Sequence, residues 1–401
     1  MKIGMILKKF DPVTGKSRHL LEVSRRLVAR GHVVHLVTNR VEWNGERAEL
    51  QHLSITEISG SQNALYLKPK KVMQILESKG VDVIELHGGM SMSLFAKRFA
   101  RIASRPLILN IHSQPTDFLH ELSYLSWSDW KHDHAYIADI DDALGFFMRI
   151  LGYHRFWKHP NIRAVIVPNR ALEHQYRDRA PVTFIPSGAD IHAYQKSLSA
   201  HDEARAVLGY APTDSVVLFY GRAVMVRGMD TIIQACELLA PTHPRLRLVM
   251  FLLEDVDLQR TLKRVEQSPA RQQITLKVGR NPQMPTVLQA ADVCVFPFRT
   301  TGCIPEQPLT LVEAMASEKT VVTTAIGSIP EIVQDGVNGR IVPPNNAVAL
   351  SKVLAELLCD PEMRERLSRN ARETIEKDYH WDVITDQTLQ LYERVTRSTS
   401  S

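Results

Sequence analysis

The chain has 401 residues, 44% of them hydrophobic and 23% charged, with a formal net charge of +5. That length exceeds one ordinary core and predicts two domains, and the charged fraction is near the globular average, which excludes wholesale disorder. No basic block or arginine-rich arm stands out, so the mild positive balance fits an anionic small molecule or a lipid surface and argues against nucleic acid. The four cysteines, Cys236, Cys294, Cys303 and Cys359, form no C-x-x-C pair and read as reduced thiols of a cytosolic protein. The opening MKIGMILKKF has too short an apolar core for a signal peptide, and LVMFLL at Leu248–Leu253 falls far short of the ~20 residues that span a bilayer. The chain is expected to be soluble or only membrane-attached.

In chain order, KIGMIL reads as a buried strand and is followed by a turn at Asp11-Pro12. Leu20, Val23, Leu27 and Val28 then share one helical face that Gly31 stops, and HVVHLVTN is the next strand. Strand, helix, strand with tight turns predicts a βαβ unit and a parallel sheet. VDVIELHGG and RPLILNIHSQ continue the pattern, each ending in a histidine, and RAVIVPN and VTFIPSGAD close the first half. The second half restarts it with SVVLFYGRAV, a helix at GMDTIIQACELLA, and the strands RLRLVMFLLE, QITLKVG, ADVCVFPF, KTVVTTAIG and NGRIV. The tail is almost wholly helical. We expect two tandem doubly wound, Rossmann-like α/β domains at 1–190 and 191–379, with the helix at about 380–398 packing back on the first. Ligands of such sheets bind at the strands' carboxyl ends, here across a cleft between the two.

The first βα loop holds only Gly15 and no G-x-G-x-x-G, so a nicotinamide fingerprint is unsupported, although one glycine at a helix start brings N–H groups close to an anion. In FYGRAVMVRGMDT, Gly221 frees the backbone, and Arg222 and Arg227 flank a turn at a strand's end, where two guanidiniums can hold a diphosphate. A solvated basic loop is the plainer account. His87 and His112 each end an apolar strand, a role that is more often structural when it occurs alone. ADIDDA at Ala138–Ala143 reads as a solvated helix start, and no metal is expected. In CIPEQPLTLVEAM, Pro305 and Pro308 stop the helix from extending backward, so it starts near Leu309 or Thr310 with its N–H groups turned to a ligand. Glu313 lies one turn in, suited to a ribose diol; a glutamate complementing the helix dipole is the bland alternative.

Taken in order, these loops resemble the family 4 retaining glycosyltransferases, which have the GT-B fold, from Met1 to about Tyr392. GRAVMVRG is similar to that family's G-R-x4-K-G, with Arg227 where lysine is usual, and EIVQDGVNGRIV resembles its C-terminal stretch. The family's Glu-x7-Glu is displaced: eight positions before Glu313 stands Pro305, and Glu306 comes one position late. The resemblance implies transfer of a hexose-type sugar from a nucleotide diphosphate sugar, with retention, to a glycan, lipid-linked or small-molecule acceptor. It implies no cofactor and no metal. It casts His112, Arg222, Arg227 and Glu306 as catalytic, with the donor also meeting Gly15, Gly221, Pro308, Leu309, Thr310 and Glu313. His19 and His87 fall on the acceptor side. Two other readings stay open, a catalytically impaired homologue that binds sugars or partners and a GT-B epimerase. From Ser123 to Arg163, Phe146, Phe147, Ile150, Leu151, Tyr153, Phe156 and Trp157 alternate with basic residues. They read either as core or as an interfacial segment giving a cytoplasmic enzyme a peripheral contact with the inner face of the membrane.

Overall fold

The computed structural model describes the chain except residues 13–14, 43–49, 61–63, 90–91, 113–151, 196–197, 282, 301–306 and 398–401. It divides into two compact units, Met1–Ser187 with Trp381–Ser401, and Gly188–His380.

The first unit contains β1 (Lys2–Phe10), α1 (Gly15–Ala29), β2 (Val33–Val41), β3 (Ser54–Glu57), α2 (Ala64–Leu67), α3 (Pro69–Ser78), β4 (Val83–Gly88) and α4 (Ser93–Ile102). It continues with β5 (Leu107–Ile111), α5 (His154–Trp157), β6 (Ile162–Val167), α6 (Arg170–Tyr176) and β7 (Val182–Phe184). All its strand pairs are parallel, in the order β3-β2-β1-β4-β5-β6-β7. Strand residues alternate between faces. Ile84 and Leu86 of β4 and Leu107, Leu109 and Ile111 of β5 enter one core with Val72, Met73 and Leu76 of α3 and Phe99 of α4. Glu85, His87 and Asn110 take the opposite face and are nevertheless buried.

The second unit contains α7 (Leu198–Leu208), β8 (Ser215–Arg222), a 3-10 turn (Met225–Arg227), α8 (Met229–Leu239), β9 (Leu246–Leu253), α9 (Leu258–Glu266) and β10 (Ile274–Val278). Then come α10 (Met284–Ala290), β11 (Val293–Phe296), α11 (Leu309–Ala316), β12 (Thr320–Thr324), α12 (Ile329–Ile332), β13 (Arg340–Val342), α13 (Ala347–Cys359) and α14 (Pro361–Asp378). Its strands are parallel in the order β10-β9-β8-β11-β12-β13. The final helix, α15 (Trp381–Arg397), belongs to the first unit and packs on α1. Arg26 and Arg30 of α1 pair with Asp382 at 3.1 Å and Asp386 at 2.6 Å, while Trp381, Ile384, Leu391 and Tyr392 are buried.

The structure adds one strand and decides between two readings. The strand β3 went unread, because SITE is a short, partly exposed edge strand without a clear alternation. Tyr153 and Trp157, candidates for an interfacial face, are core residues: they are 3% and 0% exposed, and the Trp157 indole donates to Ser93 Oγ at 2.8 Å. An indole with its N–H satisfied in the interior fills a core and has no face left for lipid. Phe146, Phe147, Ile150, Leu151 and the ADIDDA stretch lie outside the described residues. Cys236 and Cys294 are buried free thiols, and Cys303 lies outside the described residues.

The backbone of the second unit is tightest at Gly228, which joins the 3-10 turn to α8 at φ +78°. A Cβ there would lie 2.0 Å from the Pro297 carbonyl oxygen, whereas one at Gly31 (φ +83°) would meet nothing within 4 Å. Gly31→Ala isolates the conformational cost, about 1 kcal/mol. Gly228→Ala adds a steric clash and should cost on the order of 3 kcal/mol. Thermal unfolding of the two variants should show the larger drop for Gly228→Ala; equal midpoints would mean that the loop at Pro297 gives way freely.

Candidate active site

In an open parallel sheet, ligands gather at the carboxyl ends of the strands where the order reverses. In the second unit that point lies between β8 and β11, and the loops after these strands hold the predicted donor residues. Gly221 sits near the end of β8 at φ +151°, and a Cβ there would come 3.0 Å from Nη1 of Arg227. The glycine therefore makes room for the Arg227 side chain to cross the strand end. Arg227 is only 7% exposed, and its guanidinium lies 5.9 Å from the centre of the Phe298 ring. Its turn is held by Asp257, which accepts from Met225 N at 2.8 Å, and by Val226 O, which accepts from Arg299 N at 2.8 Å. The predicted partner, Arg222, differs. Its side chain is half exposed and pairs with Asp255, Nε to Oδ2 at 2.5 Å. Two arginines five positions apart thus present one fixed, buried cation and one exposed cation held by a carboxylate.

The helix α11 starts at Leu309, with Pro308 in the capping position at φ −64° and ψ 114°, as the proline spacing predicts. Glu313 is partly buried one turn in, and Tyr220 Oη lies 3.3 Å from its Oε2 while donating to the Thr310 carbonyl at 2.7 Å. Burial, then the Glu313 charge, raises the Tyr220 hydroxyl well above the ordinary tyrosine range, so it stays a donor. Glu306 and Pro305 lie outside the described residues.

The first unit has its own reversal between β1 and β4, and there it collects histidines. Gly15 begins α1, and His19 stands on that helix's first turn, its Nδ1 3.2 Å from Ser187 Oγ. His87 closes β4 and His112 directly follows β5, with His87 Nδ1 and His112 Nε2 3.0 Å apart. The His19 ring meets His112 edge-on at 5.1 Å and Trp381 at 5.5 Å. His19 and His87 are 3% and 1% exposed, while His112 is partly exposed. The two rings expected on the acceptor side are thus buried in contact with His112. Among the described residues no group of three or more His, Cys, Asp or Glu side chains is placed to hold a metal ion.

The sequence reading missed several partners. Tyr220, Asp255 and Phe298 shape the arginine loop, and Glu85, Asn110 and Tyr392 lie under the histidines. A glutamate inside the apolar strand VIELHG was the one visible signal.

Burial lowers His87 from 6.5 to about 3 and His19, with help from the neighbouring His87, to about 4. Burial also takes His112 well below 6.5, so all three are neutral near pH 7. The unfolded chain protonates these imidazoles below about pH 6.5, the folded chain only near 4 and 3. Their contribution to stability is full above pH 6.5 and falls as pH is lowered through that window, by about 1.4 kcal/mol per unit for each ring. Thermal unfolding of the wild type between pH 7 and 4 should therefore drop more steeply than that of His87→Gln. Parallel curves would show that His87 protonates as easily folded as unfolded.

Comparison with known proteins agrees with this arrangement. The model of Glycosyltransferase Family 4 matches residues 13–193, and that of Glycosyl transferases group 1 matches residues 200–374. A phosphatidyl-myo-inositol mannosyltransferase of Mycobacterium leprae (strain TN) is 25% identical, over 100% of this chain and 98% of its own. Among solved structures, sucrose-phosphate synthase from Thermosynechococcus elongatus superposes with a TM-score of 0.79 at 19% identity, covering 99% of both chains. Anabaena Alr3699/HepE in complex with UDP-glucose does so with a TM-score of 0.73 at 18% identity, covering 98% of this chain and 100% of its own. With two parallel α/β units, each matched along most of its length, the chain belongs to the family 4 glycosyltransferases of the GT-B fold and is an enzyme that transfers sugar.

Proposed function

We propose that this glycosyltransferase moves a hexose from a nucleoside diphosphate sugar to a hydroxyl of a saccharide, lipid-linked or small-molecule acceptor, with retention at the anomeric carbon and without a metal ion. One observation carries the reading: the strands flanking the switch point of the second sheet lead to two arginines and a helix-start glutamate, Arg222 at the end of β8, Arg227 in the turn beyond it, and Glu313 on the helix after β11. Guanidiniums suit a diphosphate, and a carboxylate at Glu313 suits the vicinal hydroxyls of a ribose.

In the reaction the bond from the anomeric carbon to the diphosphate oxygen breaks, and a bond to the acceptor oxygen forms. The acceptor's proton passes to the departing phosphate. Negative charge grows on the diphosphate in the transition state, where fixed cations lower the barrier most. Arg227 is pre-placed for this by Gly221 and Phe298. Arg222 must exchange Asp255 for phosphate oxygens. The start of α11 adds the N–H groups of Leu309 and Thr310 near an anion, with Pro308, which has none, capping the helix. Gly15, at the start of α1 in the first unit, is a candidate N–H source of the same kind. In the first unit, His112 meets a sugar hydroxyl. Glu306 remains a candidate for the sugar site.

The UDP-glucose complex of the Anabaena neighbour supports the donor class, and the name of the mycobacterial relative supports a lipid-linked polyol acceptor. Such an acceptor calls for a peripheral membrane contact, and the proposal includes a cytoplasmic enzyme at the inner face of the membrane. Among the described residues no helix is long and apolar enough to cross a membrane. Flotation with anionic liposomes at low salt tests the contact, and absence of binding there would favour a water-soluble acceptor.

Incubation with a panel of nucleotide sugars, followed by donor hydrolysis and thermal shift, tests the main reading. With the donor so found, Arg227→Ala should lower kcat roughly a hundredfold, on the order of 3 kcal/mol. Arg222→Ala should cost less, because that side chain first gives up Asp255. Glu313→Gln should weaken donor binding roughly tenfold with a smaller change in kcat. Wild-type kinetics in all three variants would remove the diphosphate and ribose roles.

A further inference from the structure

Glu85 is a buried carboxyl group in the middle of a parallel sheet, on the face it shares with His87 and Asn110. It is 1% exposed. Burial without hydrogen bonds would be costly, and both oxygens are served. Asn110 Nδ2 donates to Oε1 at 2.6 Å, and the Tyr392 hydroxyl of α15 donates to Oε2. Along β4 the next residue on the same face is His87, whose Nε2 lies 3.6 Å from Glu85 Oε1. His87 Nδ1 in turn bonds His112 Nε2 at 3.0 Å, with the two rings only 11° from parallel. Tyr392, Glu85, His87 and His112 therefore form one buried row from the interior of the sheet to its carboxyl edge.

With Glu85 accepting toward His87, as it does from Asn110 and Tyr392, one proton pattern suits that row. His87 Nε2 is buried, with no hydrogen-bond partner of its own. A bare lone pair facing a carboxyl oxygen would be repelled, whereas an N–H there is attracted. A neutral imidazole carries one proton, so Nδ1 of His87 is then an acceptor. The bond between the two histidines must take its proton from His112 Nε2, which leaves His112 Nδ1 without one. Burial keeps both rings neutral, as this pattern requires.

We propose that Glu85 is a positioning residue which, acting through His87, holds His112 in the Nε2–H tautomer, so that His112 Nδ1 accepts a hydrogen bond from a sugar hydroxyl. This deepens the reading of His112 as a sugar contact and rests on it. It adds a chemical criterion to the substrate: the group at His112 is a hydroxyl or another donor, and a purely accepting group such as a methyl ether oxygen is disfavoured there.

The test reads tautomers directly, by long-range 1H–15N correlation of 15N-histidine-labelled full-length protein, with signals assigned through His87→Gln and His112→Gln. In the wild type both His87 and His112 should carry the proton on Nε2. In Glu85→Leu the acceptor is gone, and both rings should switch to Nδ1–H. In Glu85→Gln the amide oxygen still accepts, and the wild-type pattern should return. With a donor from the panel, Glu85→Leu should lower kcat about tenfold, and Glu85→Gln should restore most of it. Nδ1–H on His112 in the wild type overturns the relay whatever the activity, and does so even if Glu85→Leu fails to fold. Unchanged tautomers in a folded Glu85→Leu protein overturn it equally. The expected tautomers together with full activity in His112→Ala would instead overturn the sugar-contact reading.

Discussion

The parallel course of the strands in both sheets is the constraint from which the rest follows. A parallel ladder leaves no tight hairpins, so each strand returns through a crossover on one of the two faces. Both faces are then buried, and the strands become runs such as VVLFY and LVMFLL. Polar chemistry has little place within such a sheet. It collects at the carboxyl edge, where loops emerge and helix N-termini point back. The placement of Arg222 at the end of β8 and Arg227 beyond it, of Glu313 after β11, and of His87 and His112 at the ends of β4 and β5 is a consequence of that economy of space.

The positions that break this rule are the informative ones. Glu85 and Asn110 lie inside the first sheet, not at its edge. Their burial is tolerated because each oxygen of Glu85 has a donor, and one of these donors, Tyr392, arrives from the far end of the chain, 307 residues away. The terminal helix is therefore more than a cover for α1. Its Trp381 packs edge-on against His19, which itself packs on His112, and its Tyr392 reaches Glu85 at the inner end of the row. A polar network so enclosed is costly when partly satisfied and rigid when complete.

Much of the architecture was legible in the sequence because it depends on local rules. Apolar runs of four to eight residues alternate with helical periodicity, and Pro308 marks where α11 begins. Gly221 followed by Arg222 announced the end of β8 and the turn beyond it. What stayed hidden depends on distance. Nothing local says that Arg227 folds back across Gly221 onto Phe298, that Arg222 is held by Asp255 from the neighbouring strand's end, or that His19 and His87 are buried behind His112. Tyr153 and Trp157 show the same limit. Aromatics among cations read equally well as a surface or a core, and only the packing of Trp157 against Ser93 and Tyr176 decides.

The two units divide the electrostatic work in a way that the side-chain types explain. Arginine keeps its charge in any protein environment, so burying Arg227 behind a glycine and an aromatic ring yields a cation that neither proton loss nor side-chain motion removes. Such a group suits charge that develops on a leaving diphosphate, because it is in place before the charge appears. Histidine has the opposite property: burial strips it of charge, as for His87 and His19. A neutral imidazole is a poor partner for phosphate but can distinguish donor from acceptor, provided its tautomer is fixed. The buried row beginning at Glu85 supplies that fixing. The charge stabilisation proposed for the second unit and the hydroxyl recognition proposed for the first thus draw on the same desolvation, which leaves a guanidinium charged and an imidazole neutral.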